Sequence, residues 1–308
     1  MPGQDHRRRT PRRLLLVGAG AALLAPLSGC RVRLEDDAPR VPLLPSRTPV
    51  PEEERLTALS RGCQRLAALA DGLGGTLGAQ LTVAHRRQHT VVRTALLAAG
   101  VPADTLDLDP GAGSSSQAPD GPRAVLARAE AAGTATAARF AEVDEDLRVP
   151  LASLHAQRYA AATLLGASPR ADGEPVDADV VDDLGRAVET SAYLLEVAGA
   201  RSSGAARRRA ALTVRALRRL RTDLATGREP AEPVLGVPLP YRVRTDADAS
   251  RLAADTLSDL RATIGQAAPR LLATDPASGA AAVTRWLGTA EAEAHRWGVP
   301  LEPFPGLS

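Results

Sequence analysis

Lysine and asparagine are missing from this 308-residue chain, so arginine supplies its strongly basic chemistry. The two cysteines, Cys30 and Cys63, are too few for the disulfide framework of a small secreted domain. Aromatic residues make up only 2% of the chain, and alternating strand-like runs are missing. The apolar run Leu14–Leu27 has fourteen residues, short of the roughly 20 needed to span a membrane. A Gly-x-Ser-x-Gly nucleophile turn is absent, and Ser114, Ser115 and Ser116 fall in a linker. Gly72-Leu73-Gly74-Gly75 lacks both the preceding strand and the Lys-Ser or Lys-Thr of a phosphate loop, so it reads as an inter-helix link. No cofactor motif remains. Alanine, leucine and arginine dominate, which predicts an all-α chain from Glu52 onward.

The fourteen uncharged residues follow Arg7, Arg8, Arg9, Arg12 and Arg13 and precede Leu27-Ser28-Gly29-Cys30. A basic segment, a short apolar run and a small-residue step predict a secretory signal over 1–29. The last four residues resemble the lipobox of bacterial lipoproteins, which implies a lipidated Cys30 as the mature N-terminus. Arg12-Arg13-Leu14-Leu15-Leu16 is similar to a twin-arginine export motif, with Pro11 where Ser or Thr usually stands. The expected location is therefore the extracytoplasmic face of the cell membrane. Without residues 1–29, which hold five of the arginines and a single acid, the formal charge falls from +2 to near −2. That balance argues against a nucleic-acid partner. Pro39, Pro42, Pro45, Pro49 and Pro51 make residues 30–51 an extended tether.

Eight helical stretches are predicted, at 52–72, 76–99, 122–147 and 150–166, then 176–200, 204–226, 246–268 and 276–297. In each set of four, short links join the first and last pairs, and a Gly- or Pro-rich crossover joins the middle (100–121 and 227–245). That connectivity is the one used by four-helix bundles of the ferritin-like type. The length suits two such bundles in tandem, at 52–166 and 176–308, with a single fused eight-helix domain as the alternative.

Further residues carry a resemblance. They are Glu189-Thr190-Ser191-Ala192-Tyr193, Ala198-Gly199-Ala200-Arg201, Arg207-Arg208-Arg209-Ala210-Ala211-Leu212 and Val237-Pro238-Leu239-Pro240-Tyr241. Thr245-Asp246-Ala247-Asp248-Ala249, Glu293-Ala294-His295-Arg296-Trp297 and Phe304-Pro305-Gly306-Leu307 complete the series. In this order and spacing, residues 176–308 resemble a ferritin-like domain family of unknown function found in actinobacterial proteins, many of them lipoproteins. The resemblance implies a helical bundle whose relatives elsewhere hold two irons.

A di-iron site needs Glu from two helices and Glu-x-x-His from two others. The second set fails this requirement. Its helix at 204–226 has neither Glu nor His before Asp223, and Glu291, Glu293 and His295 have the wrong spacing. Glu189 and Glu196 lack partners. In the first set, His85 and His89 are four apart on a helix, and His155 with Glu130 or Glu142 could add ligands. Arg86, Arg87, Thr90 and Arg93 mark that stretch as wet, so two exposed histidines on a polar face are the simpler expectation. Cys63, between Leu59 and Leu66, is expected as a small buried side chain. Trp286 and Trp297 are expected as core anchors.

Arg207, Arg208, Arg215, Arg218, Arg219 and Arg221 fall within about 160° of one helix face. They are expected either to pair with neighbouring acids or to meet anionic lipid head groups or an envelope protein. The resulting expectation is a membrane-anchored lipoprotein on a ferritin-like scaffold without di-iron ligands, serving binding or assembly in the cell envelope. The alternatives are a metal-dependent oxidoreductase or metal-storage protein, and a carrier of lipid or another small molecule.

Overall fold

A computed structural model describes residues 48–107, 121–176, 179–226 and 236–307. The export signal, Cys30 and most of the tether lie outside the described residues, as do the centres of both crossovers. The described residues hold nine α-helices and one 3₁₀ turn, and no strand among them.

In the first set, α1 (Glu53–Leu73) begins with Glu53 and Glu54, where acids suit the helix dipole. Gly74 and Gly75 turn the chain into α2 (Gly75–Ala98) with φ of 67° and 66°, values that side chains resist. The Gly-rich segment is thus a hinge, as its composition suggested. A short α3 (Ala103–Asp107) lies in the first crossover. The predicted helix over 122–147 is interrupted. α4 spans Pro122–Thr134, a 3₁₀ turn follows at Ala137–Phe140, and α5 spans Glu145–Leu165. Thr134 and Thr136 donate their hydroxyls to the carbonyls of Ala131 and Gly133, which competes with continued winding. Pro150 does not start α5 but sits inside it. It forfeits one helical bond, while buried Val143 and Leu151 hold the extra turn against the core.

In the second set, α6 is Val180–Ala200 and α7 is Gly204–Leu224. α8 (Asp246–Thr274) starts with a capping box between Thr245 and Asp248. It runs through Pro269, beyond the predicted end, because Leu271 and Leu272 are buried there. α9 (Pro276–Arg296) has Pro in its first turn, and the Asp275 carboxylate accepts from the N–H groups of Ala277 and Ser278.

The sets repeat a packing scheme. α1 lies on α2 and α4, and α4 on α5; α6 lies on α7 and α8, and α8 on α9. They are not separate bundles, however, since Arg47–Ser308 forms one compact unit. The seam is α5 against α9. At Gly288 a Cβ would lie 2.7 Å from Tyr159 Cβ and 2.8 Å from the Ala156 carbonyl, so only glycine permits this approach. Ala152 and Ala156 of α5 join the apolar core of the second set. α9 is buried on nearly every side, as expected of a central helix and not of an outer one.

The chain after α9 fastens the seam. Leu301 enters one core of the first set and Phe304 packs on another. Gln88 Nε2 donates to the Pro303 carbonyl (2.7 Å), and Ser153 Oγ donates to that of Pro305 (2.7 Å). Trp286 and Trp297 are buried, as expected.

Candidate functional site

The first set buries an unusual density of polar side chains. α2 supplies His85 and Gln88, α4 supplies Glu130, and α5 supplies Gln157 and Arg158. His85, Gln88, Glu130 and Gln157 are fully buried, and Arg158 is 8% exposed. His85 Nε2 lies 2.6 Å from Glu130 Oε1, and His85 Nδ1 lies 2.9 Å from Gln88 Oε1. Gln88 Nε2 donates to Gln157 Oε1 at 3.0 Å. Arg158 Nε stands 3.3 Å from Glu130 Oε2, and its Nη2 donates to the Ala129 carbonyl. Gly133 makes room for this guanidinium, since a Cβ there would lie 2.0 Å from Arg158 Cζ.

This arrangement corrects the expectation of a wet face. Helical periodicity turns Arg86 and Arg87 outward and His85 and Gln88 inward. His89 does not converge with His85; its Nδ1 faces the hydroxyl and carbonyl oxygens of Ser60 at 3.1 and 3.0 Å. Glu142 is exposed. Cys63 is fully buried, and burial pushes its thiol up to about 12, which removes it as a nucleophile.

His155 is fully buried against Phe140, with ring centroids 5.3 Å apart. Burial, with Arg158 nearby, lowers its pKa from 6.5 to about 3. Between those values the unfolded chain binds a proton that the folded chain does not. Stability contributed at this site is therefore full above pH 6.5 and is lost as the pH falls toward 3. Replacing His155 by Leu should remove this acid sensitivity. The stability difference between variant and wild type should shift in the variant's favour by about 2 kcal/mol between about pH 7.5 and pH 5. Parallel urea melts at the two pH values measure it, and equal differences would refute the assignment.

The carboxylates of the second set are likewise taken. Glu291, whose pKa is raised by burial, accepts from Arg261 Nη1 (2.8 Å) and from the Glu302 N–H (2.7 Å). Glu189 pairs with Arg221 at 3.2 Å and Glu196 with Arg218 at 2.7 Å. Glu293 accepts from Thr213 (2.8 Å) and Arg296. Asp223 accepts from Arg285 and from Trp286 Nε1. His295 Nδ1 faces the Val299 carbonyl. Among the described residues, no group of three or more His, Cys, Asp or Glu is placed to hold a metal ion.

The arginine face of α7 divides in two. Arg218 and Arg221 carry the ion pairs just named, and Arg207 Nε donates to the Ser202 carbonyl. Arg208, Arg215 and Arg219 are exposed and share a stripe with Leu212, itself 56% exposed. Arg209, off this band, stacks on Trp297.

Compared with known proteins, the chain matches no family model, no curated protein and no solved structure. Its function has to be argued from its own residues. Sequence reasoning missed Gln88, Gln157, Arg158 and Gly133, which together close the buried network. The one legible signal was Gln88, three residues after His85 and so on the same face.

An apolar cavity of about 240 Å³ lies between α1, α2 and α5, lined by Leu56, Val92, Leu96, Leu147, Leu151 and Phe304. It falls below the roughly 300–1,000 Å³ usual for small-molecule clefts. Among the described residues, no helix is long and apolar enough to cross a membrane.

Proposed function

We propose that this chain is a membrane-anchored lipoprotein of the cell envelope, built on a doubled ferritin-like helical scaffold and used for binding or assembly. One observation carries the reading: the buried carboxylates are committed to arginines. Arg158 stands against Glu130, and Arg261 stands between Glu291 and Glu302. A guanidinium cannot lose its charge, so it opposes entry of a divalent cation at the carboxylate it faces. The reading is supported by the helix neighbours shared by both sets, the first helix on the second and third and the third on the fourth, with arginine–carboxylate pairs in the interior. This arrangement weighs against the oxidoreductase and storage readings.

Anchoring rests on Cys30 and the residues before it. Cys30→Ala should leave the chain unprocessed or release it from membranes, measured by detergent phase partitioning; unchanged partitioning would sink the claim. The α7 stripe of Arg208, Arg215 and Arg219, which has no carboxylate partner among the described residues, is suited to the anionic surface beneath a tethered protein, each arginine there contributing about 1 kcal/mol. The full chain carrying Cys30→Ala should bind phosphatidylglycerol vesicles. Changing Arg208, Arg215 and Arg219 together to Gln should weaken that binding about 100-fold. Equal binding by both proteins would eliminate the surface role.

A further inference from the structure

A second basic feature lies away from α7. Between α1, the 3₁₀ turn and α5 is a recess of about 270 Å³ with Arg55, Arg65, Arg139 and Arg158 on its walls. Thr136 is its remaining polar side chain, and no carboxylate lines it. On α1 the lining positions 55, 58, 59, 62 and 65 recur at helical spacing, and Ala58 and Gly62 keep the floor low between the arginines. Arg55 is partnered by Glu52 and donates to the Arg139 carbonyl. Arg65 and Arg139 are exposed and have no carboxylate partner among the described residues. Arg158 is more than nine-tenths buried at the inner wall, and its Nε makes no hydrogen bond. It is held there by the space that Gly133 leaves and by Glu130, so that with the Arg55–Glu52 pair two of the four charges are compensated.

Glu52 and Glu130 pair with Arg55 and Arg158, which leaves the guanidinium charges of Arg65 and Arg139 on the recess wall without a carboxylate partner among the described residues. The planar forks match the oxygen geometry of phosphate, and their weak hydration favours partly buried anion contacts. The recess is about nine times the ~30 Å³ that a water molecule occupies in the liquid, which leaves room for more than a bare ion. Leu59 and Phe140 give it an apolar side.

We infer that the recess between α1, the 3₁₀ turn and α5 is a binding site for a phosphate ester, held by Arg65, Arg139 and Arg158. The ester comes either from a soluble metabolite or from a phospholipid head group. The site is independent of the anchoring and of the α7 stripe.

The test is calorimetric titration of the full chain with inorganic phosphate and with sn-glycerol 3-phosphate. A parallel vesicle assay uses phosphatidylglycerol against phosphatidylcholine in the Cys30→Ala background. Arg65 and Arg139 are exposed, so the Arg65→Gln/Arg139→Gln variant should fold. The expected result is saturable binding of the ester with Kd below about 1 mM, weakened at least about tenfold in this variant. It should be unchanged when Arg208, Arg215 and Arg219 are changed to Gln. Vesicle binding that falls in step with ester binding would identify a head group as the source; an effect on the ester alone would identify a soluble one. Absence of saturable binding by the wild type would overturn the inference. Equal weakening by the α7 variant would do so too, since it would reduce the effect to overall charge.

Discussion

Glu130→Leu should destabilise the protein by about 3–5 kcal/mol, the usual cost of removing one partner from a buried ion pair. The carboxylate is fully buried and faces two groups, His85 at 2.6 Å and Arg158 at 3.3 Å. Without it, Arg158 keeps a charge it cannot shed, with the Ala129 carbonyl as its remaining near acceptor. Arg158→Met alone should cost less, because the carboxylate it leaves still meets His85 at 2.6 Å. The double variant Glu130→Leu/Arg158→Met replaces a charged pair by apolar groups of similar size. It should recover more than half of the loss from Glu130→Leu. Urea melts of the four proteins give the cycle. A cost below about 1 kcal/mol for Glu130→Leu, or no recovery in the double variant, would show that the pair is not coupled.

Ending the chain at Gly298 should cost at least about 4 kcal/mol, more than any surface change of similar length. The lost segment is short, but its contacts reach every part of the seam. Leu301 leaves a core in which it is 8% exposed, and Glu302 leaves Arg261 with a partly uncovered charge. Ser153 and Gln88 lose the carbonyls of Pro305 and Pro303, and each buried donor left without a partner costs about 1–3 kcal/mol. A point substitution separates this effect from simple shortening. Gly265 of α8 lies so close to the tail that a Cβ would sit 2.3 Å from the Gly306 carbonyl oxygen. Gly265→Val should therefore lift the tail and reproduce much of the loss. Thermal melts of both variants measure it; wild-type melting for both would mean the tail is not a fastening.

What the sequence made legible was local. Asp275-Pro276 meets the backbone requirements of a helix start at α9, and Val180, Leu184, Val188 and Leu195 recur at helical spacing on the buried face of α6. Cys63, Trp286 and Trp297 were read as buried because an apolar side chain among apolar neighbours has one sensible place. The failures came where tertiary contacts overrule local preference. Pro150 and Pro269 are breakers by themselves, yet buried leucines beyond them carry each helix on. The seam that joins the two sets was not legible, because it depends on Gly288 and on alanines, which leave no periodic signal.

The candidate site was half legible for a similar reason. Residue type made His85, His89 and His155, with Glu130 or Glu142, weak candidate ligands beside the simpler expectation of exposed histidines, and His85 and Glu130 do meet. Their setting was hidden. Arg86 and Arg87 made the stretch look wet although they face away from His85. Arg158, the residue that turns a ligand set into an ion pair, looked like one more surface arginine. On α7 the expected pairing with neighbouring acids holds for Arg218 and Arg221, which meet acids on α6, while Arg208, Arg215 and Arg219 have no carboxylate partner among the described residues.

The central claim is that arginines stand in this scaffold where a metalloprotein would have its metal. Elemental mass spectrometry on the full chain, purified without chelator or affinity histidines, tests it most directly. The predicted result is no stoichiometric iron, manganese or zinc. Stoichiometric metal that disappears when His85 or Glu130 is replaced would contradict the account.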